Sequence, residues 1–470
     1  MGTQRLVKQL AAGGSPESTA SEKAQPMSIP VQLEDVGDAR EVPVAVGGVQ
    51  LKRHSSFEQA EPLREEWDDF VQRVEGDLFT SFDWCATWWK YYGRGRRLEL
   101  YLAFEDEELV AVLPLFRETV RWGLVSLRVV RIVGCDHSVT TCNVAIDPTR
   151  IGPVVAALMR DLARGGRWDM IHLGELPGYW PHGPELADAF RRCPEAGEVA
   201  YSPDDYPHMV FEVPATFDAF LAGLSLKERR NVRRDERKLE AAGRVERGFV
   251  AEAGELEEAF SRLVEMHTAC WAEQGRLGHF GEWPQAEAFQ CEVARRLLDG
   301  GRLVLVRVRI NGECVAAEYG GRFGARVHWI VVSRRQEMTS RIGFCALLRS
   351  AQELGLRQID ALPGYYDYKR RLGAHTLGVR TITVLAPRTA SHVRARLFRA
   401  VTRAIDVVYH RAWFWRGAPW IRRRFPTLRV GFVRAGLWPR YIRARFLVAA
   451  RADAGQEALG EEVGASDRGI

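Results

Sequence analysis

The sequence predicts an α/β (α+β) protein. It reads as two tandem copies of one unit, each around a mixed, mostly antiparallel central sheet, followed by a basic C-terminal helical extension. Three observations predict this. At 470 residues, with 46% hydrophobic and 27% charged, the chain has a globular composition and exceeds what one core ordinarily holds. A strand–turn–strand pattern, LELYLAFEDEELVAVLPLF, returns about 200 residues later as LVLVRVRINGECVAAEYGG; such self-similarity suggests a duplicated fold, two unrelated hairpins being the plainer alternative. From Arg388 to Arg451 there are sixteen Arg, no Lys and one acid, Asp406, a local charge of +15 in a chain whose net charge is +5.

Residues 1–56 are rich in Gly, Ser, Ala, Glu and Pro without a sustained period, so disorder is expected, with VPVAVGGVQL as a short strand. The first unit, 57–210, opens on a helical pattern from Glu61 to Val74 that puts Leu63, Trp67, Phe70 and Val71 on one face. A second helix holds Trp84, Trp88 and Trp89. LELYLAF and LVAVLPLF flank an acidic turn at Glu105–Glu108. SLRVVRIVG and WDMIHLGEL are further strands, with a helix over Ile151–Ala163 between them.

The second unit, 211–388, begins with LSLKERRNVRRDERKLEAAG. Ser225 and Glu228 have capping-box spacing, and Gly243 sits where a helix stops. Arg230, Arg233, Arg234, Arg237 and Lys238 fall in neighbouring rows; a solvated face is the commoner meaning, an anion-facing helix the other. His267 and Trp271, four residues apart, read as packing residues. GRLVLVRVRI and ECVAAEYGGRF form a hairpin about Asn311-Gly312, which favours a two-residue type I′ turn. Val304, Val306, Val308 and Ile310 alternate onto one face. VHWIVV continues the sheet. A loop at Ser340–Gly343 leads into a helix over Phe344–Leu354, with Gly355 past its end. QIDALP is a strand, and Tyr365–Lys369 a loop at the sheet edge. The basic extension covers 389–451, and 452–470 is a polar tail expected to be disordered.

The order hairpin, strand, loop, helix, strand, Tyr-Lys-Arg across Gly300–Arg371 resembles the acyl-CoA-binding half of a GNAT acyltransferase. More closely it resembles the cellulose-biosynthesis-type acetyltransferase branch, related to the FemABX transferases. IDALPGYYDYKRR is similar to that branch's D-x-L-x-G…Y-K-R-x motif, and SLKERRNVRRDERKLEAAG to an Arg-rich FemABX helix ending in Gly. The resemblance implies tandem GNAT-like domains. It also implies acetyl-CoA or another acyl-CoA as co-substrate, no metal, and transfer of an acyl group, acetyl first, to an amine or hydroxyl. The acceptor it implies is a small molecule or glycan precursor in cell-envelope or exopolysaccharide synthesis. Two alternatives stand: FemABX-like aminoacyl transfer from charged tRNA, and a non-catalytic membrane-associated adaptor.

Acyl transfer needs an anion site, an oxyanion partner, a base for the acceptor and an acid for the thiolate. Ser340, Arg341, Ile342, Gly343 and Phe344 are the expected phosphate-binding turn. Only one Gly stands where the family's Gln/Arg-x-x-Gly-x-Gly/Ala signature carries two small residues. Asp360 is a candidate proton acceptor, Tyr368 a proton donor, Lys369 a cation for phosphate or oxyanion, and Glu318 a buried base of raised pKa. Ordinary roles compete: a strand-end Asp caps or binds Arg, clustered Tyr pack, and a strand Glu hydrogen-bonds. Arg230, Arg234, Tyr365, Tyr366, Asp136 and His137 are candidate substrate contacts, the last two in a loop that resembles one near substrate in relatives. Asp136, His137 and Ser138 are adjacent and form no hydrolase triad.

None of the eight cysteines makes a C-x-x-C pair, so free buried thiols are expected. No secretory leader and no apolar run of about 18 residues is seen, so a cytoplasmic protein is expected, peripheral to the inner membrane surface at most. The Arg of the extension alternate with Trp413, Phe414, Trp415, Trp420, Trp438 and Tyr441. That pattern suits an anionic membrane surface, RNA, or aromatics packed on the body under solvated Arg.

Overall fold

Both matching hairpins form, and each turns on two residues in the left-handed region. Asn311 and Gly312 lie at φ 51° and 85°; Asp106 and Glu107 lie at φ 48° and 70°. The acidic pair therefore adopts the turn that Asn-Gly adopts more easily in the second copy.

The computed structural model describes residues 44–122, 125–137, 141–273, 278–282, 284–335, 337–364, 366–405 and 416–425. The first strands are β1 (Val44–Val46), β2 (Val49–His54), β3 (Arg97–Glu105), β4 (Glu108–Trp122), β5 (Val125–Ile132), β6 (Ala145–Ile146) and β7 (Met170–Leu176). The rest are β8 (Val199–Glu212), β9 (Val245–Phe249), β10 (Leu303–Ile310), β11 (Glu313–Phe323), β12 (Arg326–Arg334), β13 (Gln358–Pro363) and β14 (His375–Leu385). The helices begin with α1 (Arg64–Arg73), α2 (Phe82–Tyr92), α3 (Ile151–Arg164), α4 (Gly183–Arg191), α5 (Phe217–Gly223) and α6 (Leu226–Ala241). They continue with α7 (Ala253–Glu273), α8 (His279–Glu282), α9 (Ala286–Asp299), α10 (Ser340–Glu353), α11 (Asp367–Arg371), α12 (Thr389–Ile405) and α13 (Ala418–Arg424).

One mixed sheet runs through both copies in the order β1-β2-β3-β4-β5-β7-β14-β8-β13-β12-β11-β10-β9, with β6 on β4. Its two ends mirror each other. In the first half β3, β4 and β5 are antiparallel and β5 runs parallel to β7 across α3; in the second β10, β11 and β12 are antiparallel and β12 runs parallel to β13 across α10. The last strand of each half crosses over. β8 pairs with β13 of the second half, β14 pairs with β7 of the first, and β8 and β14 pair with each other. The expected boundary at 210/211 thus falls inside β8, and neither half owns a complete sheet.

The core is shared in the same way. Trp84 of α2 packs edge-on against Phe289 of α9 at 5.3 Å, and Arg302 pairs with Asp68. The fully buried Trp67, Trp84, Trp88, Tyr319 and Phe289 anchor this region, each contributing about 1.5–3 kcal/mol or more of transfer free energy. A second cluster under α10 joins Val304, Val306 and Val308 to Phe344, Leu347 and Ile359.

Four local expectations need correction. Order starts before Phe57: the strand expected in VPVAVGGVQL forms as the β1–β2 hairpin, which joins the sheet through β2's pairing with β3. Ser340–Gly343 is the first turn of α10, not a loop: Thr339 already has extended N-cap geometry and Gly343 is helical. Tyr365 lies outside the described residues, and Asp367–Arg371 is helical, with Asp367 paired to Arg370 and Arg371 at i+3 and i+4. Nor is that segment at a sheet edge, since β8 covers the far side of β13. Residues 1–43 and 426–470, including the expected tail, lie outside the described residues.

Candidate active site

The site begins where two parallel strands part. β12 and β13 pair at Arg326↔Gln358, Val327↔Ile359 and His328↔Asp360, and no further, although β12 runs on to Arg334. The wedge opens toward the first turn of α10. Side chains alternate across the sheet here. His328 faces Phe79 of the first half, at 5.2 Å, while Trp329 faces Phe344 of α10, at 5.7 Å.

On the α10 side lies Glu318, fully buried on β11. Its Oε2 accepts from Trp329 Nε1 at 2.7 Å; its Oε1 has no hydrogen-bond partner among the described residues. A Cβ added to Gly343 would stand 1.7 Å from that Oε1. Gly343 is therefore glycine because a carboxyl group occupies the space its side chain would take. Burial pushes the Glu318 carboxyl well above the usual range, against the pull of Trp329 and Lys369. The first half lacks this device. Leu115↔Ile132 and Gly320↔Trp329 hold equivalent ladder positions. Two residues back, Leu113 therefore answers to Glu318. The fourth residue of α3 is Val154, where α10 has Gly343. Leu113 and Val154 line a small cavity of apolar side chains, about 10 Å³ in volume.

Lys369 lies across the wedge. Its Nζ donates to Ala361 O on β13 at 2.7 Å and sits 5.2 Å from the centre of the Trp329 ring on β12. Tyr366 stacks over the same ammonium at 4.6 Å. Burial pulls Lys369 down to about 8, while Asp360 and Glu318 resist the fall. Burial likewise raises the Tyr368 phenol well above its usual value, with the nearby Glu318 charge adding to it. Glu318, Tyr368, Lys369 and Gly343 are thus brought together, with Phe344 beneath them in the aromatic packing of Phe211, Phe220 and Trp329.

Asp360 belongs to the opposite face. It accepts from His208 Nε2 (2.5 Å), His328 Nδ1 (3.2 Å), Tyr179 OH (3.1 Å) and Leu362 N (2.9 Å), with no exposed surface. The tautomers follow from the network: Gly178 N–H occupies His208 Nδ1 and Leu78 N–H approaches His328 Nε2, so each ring's other nitrogen carries the proton it gives to Asp360. Burial alone would raise this carboxyl; His208 and His328 outweigh it and hold it well below the usual range. This environment suits a joint between the halves better than acceptance of an amine proton.

The remaining expected residues are scattered. Arg341 turns back to α6, 2.7 Å from Asp235 and 3.7 Å from Glu228; Ser340 is half-buried beside it, and Ile342 is buried. Ser225 Oγ accepts from Glu228 N as in a capping box, but the Glu228 side chain serves Arg341 and Asn231 instead of closing it. Arg230 and Arg234 point to solvent. Asp136 sits unexposed in a charge network of the first half. It is bound by both Arg96 amines (2.7 and 3.2 Å), by Arg131 (3.2 Å) and by His137 Nδ1 (2.5 Å). His137 stacks on Tyr92 at 4.4 Å. His208 and Tyr179 went unforeseen, because their roles depend on β8 crossing to β13.

The comparisons agree with the backbone. Residues 227–370 match the family described as Acetyltransferase (GNAT) domain. No curated protein matches the sequence. Among solved structures, one of FemX superposes with a TM-score of 0.51 at 12% identity, covering 70% of this chain and 98% of that one. Two others are less similar. L-PGS from Bacillus licheniformis has a TM-score of 0.44 at 12% identity, covering 76% of this chain and 99% of that one. A tandem GNAT protein from the clavulanic acid biosynthesis pathway has a TM-score of 0.37 at 11% identity, covering 72% and 99%. The chain carries a GNAT acyltransferase fold, and domains of that kind generally use acyl-CoA.

Proposed function

We propose that this protein transfers an acyl group, acetyl first, from coenzyme A to an amine or hydroxyl acceptor at the β12–β13 wedge. The acceptor class is a small molecule or glycan precursor of cell-envelope or exopolysaccharide synthesis. The observation that carries the reading is the parting of β12 and β13 beneath the first turn of α10, within the matched segment. The first turn of α10, Ser340–Gly343, would hold the phosphates through its backbone N–H groups, and Arg341 would join them only on leaving Asp235. The acceptor atom bonds to the thioester carbonyl carbon, the C–S bond breaks, and one proton leaves the acceptor while the thiolate gains one. Glu318 Oε1, which has no hydrogen-bond partner among the described residues, takes the acceptor's proton; burial that raises its pKa makes it the stronger base. Lys369, released from Ala361 O, offsets the negative charge growing on the carbonyl oxygen. Tyr368 gives the thiolate its proton.

A second reading is aminoacyl transfer from charged tRNA, as the resemblance to FemABX transferases implies. What favours it is the likeness to FemX through both halves, together with a wedge that Lys369 bridges. Thiol release from acetyl-CoA across an acceptor panel tests the first reading, with wild type, Glu318→Gln and Lys369→Met compared. Turnover should drop about 10²–10⁴-fold in Glu318→Gln. Turnover unchanged in both variants rejects the assignment. Saturable tRNA binding without an acetyl-CoA-induced rise in melting temperature selects the second reading. A protein that does neither is the non-catalytic adaptor.

A further inference from the structure

The described residues expose six large apolar side chains: Leu226, Tyr366, Val393, Leu397, Trp420 and Phe425. Three of them lie on the two C-terminal helices and Phe425 just after the second, all within the segment whose only acid is Asp406. α12 is apolar on two sides. Ala395 and Phe398 are buried against Val120, Leu127, Val129, Met170 and Leu385. The other side carries Val393, Leu397, Ala400 and Ala404, all exposed and spaced four, three and four residues apart, so they form one stripe along the helix. Val393 is 52% exposed and Leu397 48%. In α13 and just after it, Trp420 is 63% exposed and Phe425 49%. Exposed Arg396, Arg416, Arg423 and Arg424 accompany them.

We infer that α12 and α13 rest on an anionic lipid bilayer, with Val393, Leu397, Trp420 and Phe425 entering the headgroup boundary and the Arg side chains meeting lipid phosphates. The occupant follows from two complementarities. The charge, +15 over 388–451, selects an anionic partner. The aliphatic stripe selects among anionic partners: nucleic acid offers phosphates and faces for aromatic stacking, but no hydrocarbon for Val393 and Leu397. Packing on the protein body is already done by the opposite side of α12. Among the described residues no helix is long and apolar enough to cross a membrane, so the contact is interfacial.

The test is flotation of the full chain with neutral phosphatidylcholine vesicles and with vesicles containing phosphatidylglycerol. This reads no acyl chemistry, so its outcome stands apart from the proposed reaction. The protein should float with the anionic vesicles at low salt and lose binding as salt rises. Val393→Glu/Leu397→Glu and, separately, Trp420→Ala/Phe425→Ala should each bind at least about tenfold more weakly with unchanged melting temperatures. The second pair keeps the test decisive if the first misfolds. Absence of flotation by wild type at low salt overturns the inference, as does equal flotation of wild type and both folded variants. Retention of an RNA homopolymer through these residues, with vesicles ignored, overturns it in favour of nucleic acid.

Discussion

Lys369 holds its charge among Trp329, Tyr366 and Ala361 O at a pKa of about 8, below the ordinary lysine value. Between that value and about 10.5 the unfolded chain binds more protons at this residue than the native one, so stability contributed here rises with pH. Wild type should therefore gain on Lys369→Met by up to about 3 kcal/mol between pH 8 and 10.5 in denaturant titrations; a constant gap would mean that Lys369 titrates normally. The same residue should shape the rate. Its ionised form is lost as pH rises through 8, giving a falling limb in kcat that Lys369→Arg moves upward, while the rising limb belongs to Glu318. Asp360 plays a different part. Asn in its place would meet donors with an NH2 group, so Asp360→Asn should cost about 3 kcal/mol. Retention of wild-type stability would show that the His208–Asp360–His328 joint carries little.

At the scale of elements, α10 can lie close over β11 only because Gly343 leaves room for the Glu318 carboxyl. Gly343→Ala should destabilise by at least about 2 kcal/mol, and much less in a Glu318→Ala background, a coupling of about 1–3 kcal/mol in a double-mutant cycle. Additive effects would mean that the two do not touch. Elements were the most legible part of the sequence. The Trp67–Phe70–Val71 face, the helix from Ser225 to the Gly243 stop and the Asn311-Gly312 hairpin follow from period and turn chemistry, which act over a few residues. The start of α10 did not: Gly343 suggests a loop until Glu318, 25 positions earlier in the sequence, is seen beneath it. Likewise the acid that stands out in sequence, Asp360, is saturated by His208, 152 residues away, and by Tyr179, 181 away.

Across the whole molecule, the exchanged strands β8 and β14 bind the copies into one sheet, and the core around Trp84 and Phe289 crosses between them. Duplication was readable from the paired hairpins; exchange was not, because nothing local in Val199–Glu212 says which neighbour it takes. Calorimetry should show a single transition for the described body, since neither half retains a complete sheet alone. Two separated transitions would restore the independent domains that the sequence suggests. The first half keeps the frame but has Leu113 and Val154 where the second has Glu318 and Gly343, which leaves the proposed proton acceptor to one copy.

The most direct test is hydrogen–deuterium exchange with and without acetyl-CoA. Added acetyl-CoA should slow exchange in residues 329–344 and 358–371 and leave the corresponding turn of the first half, around residues 148–154, unchanged. Unaltered exchange at saturating acetyl-CoA, or protection confined to other elements, would contradict acyl transfer at the β12–β13 wedge.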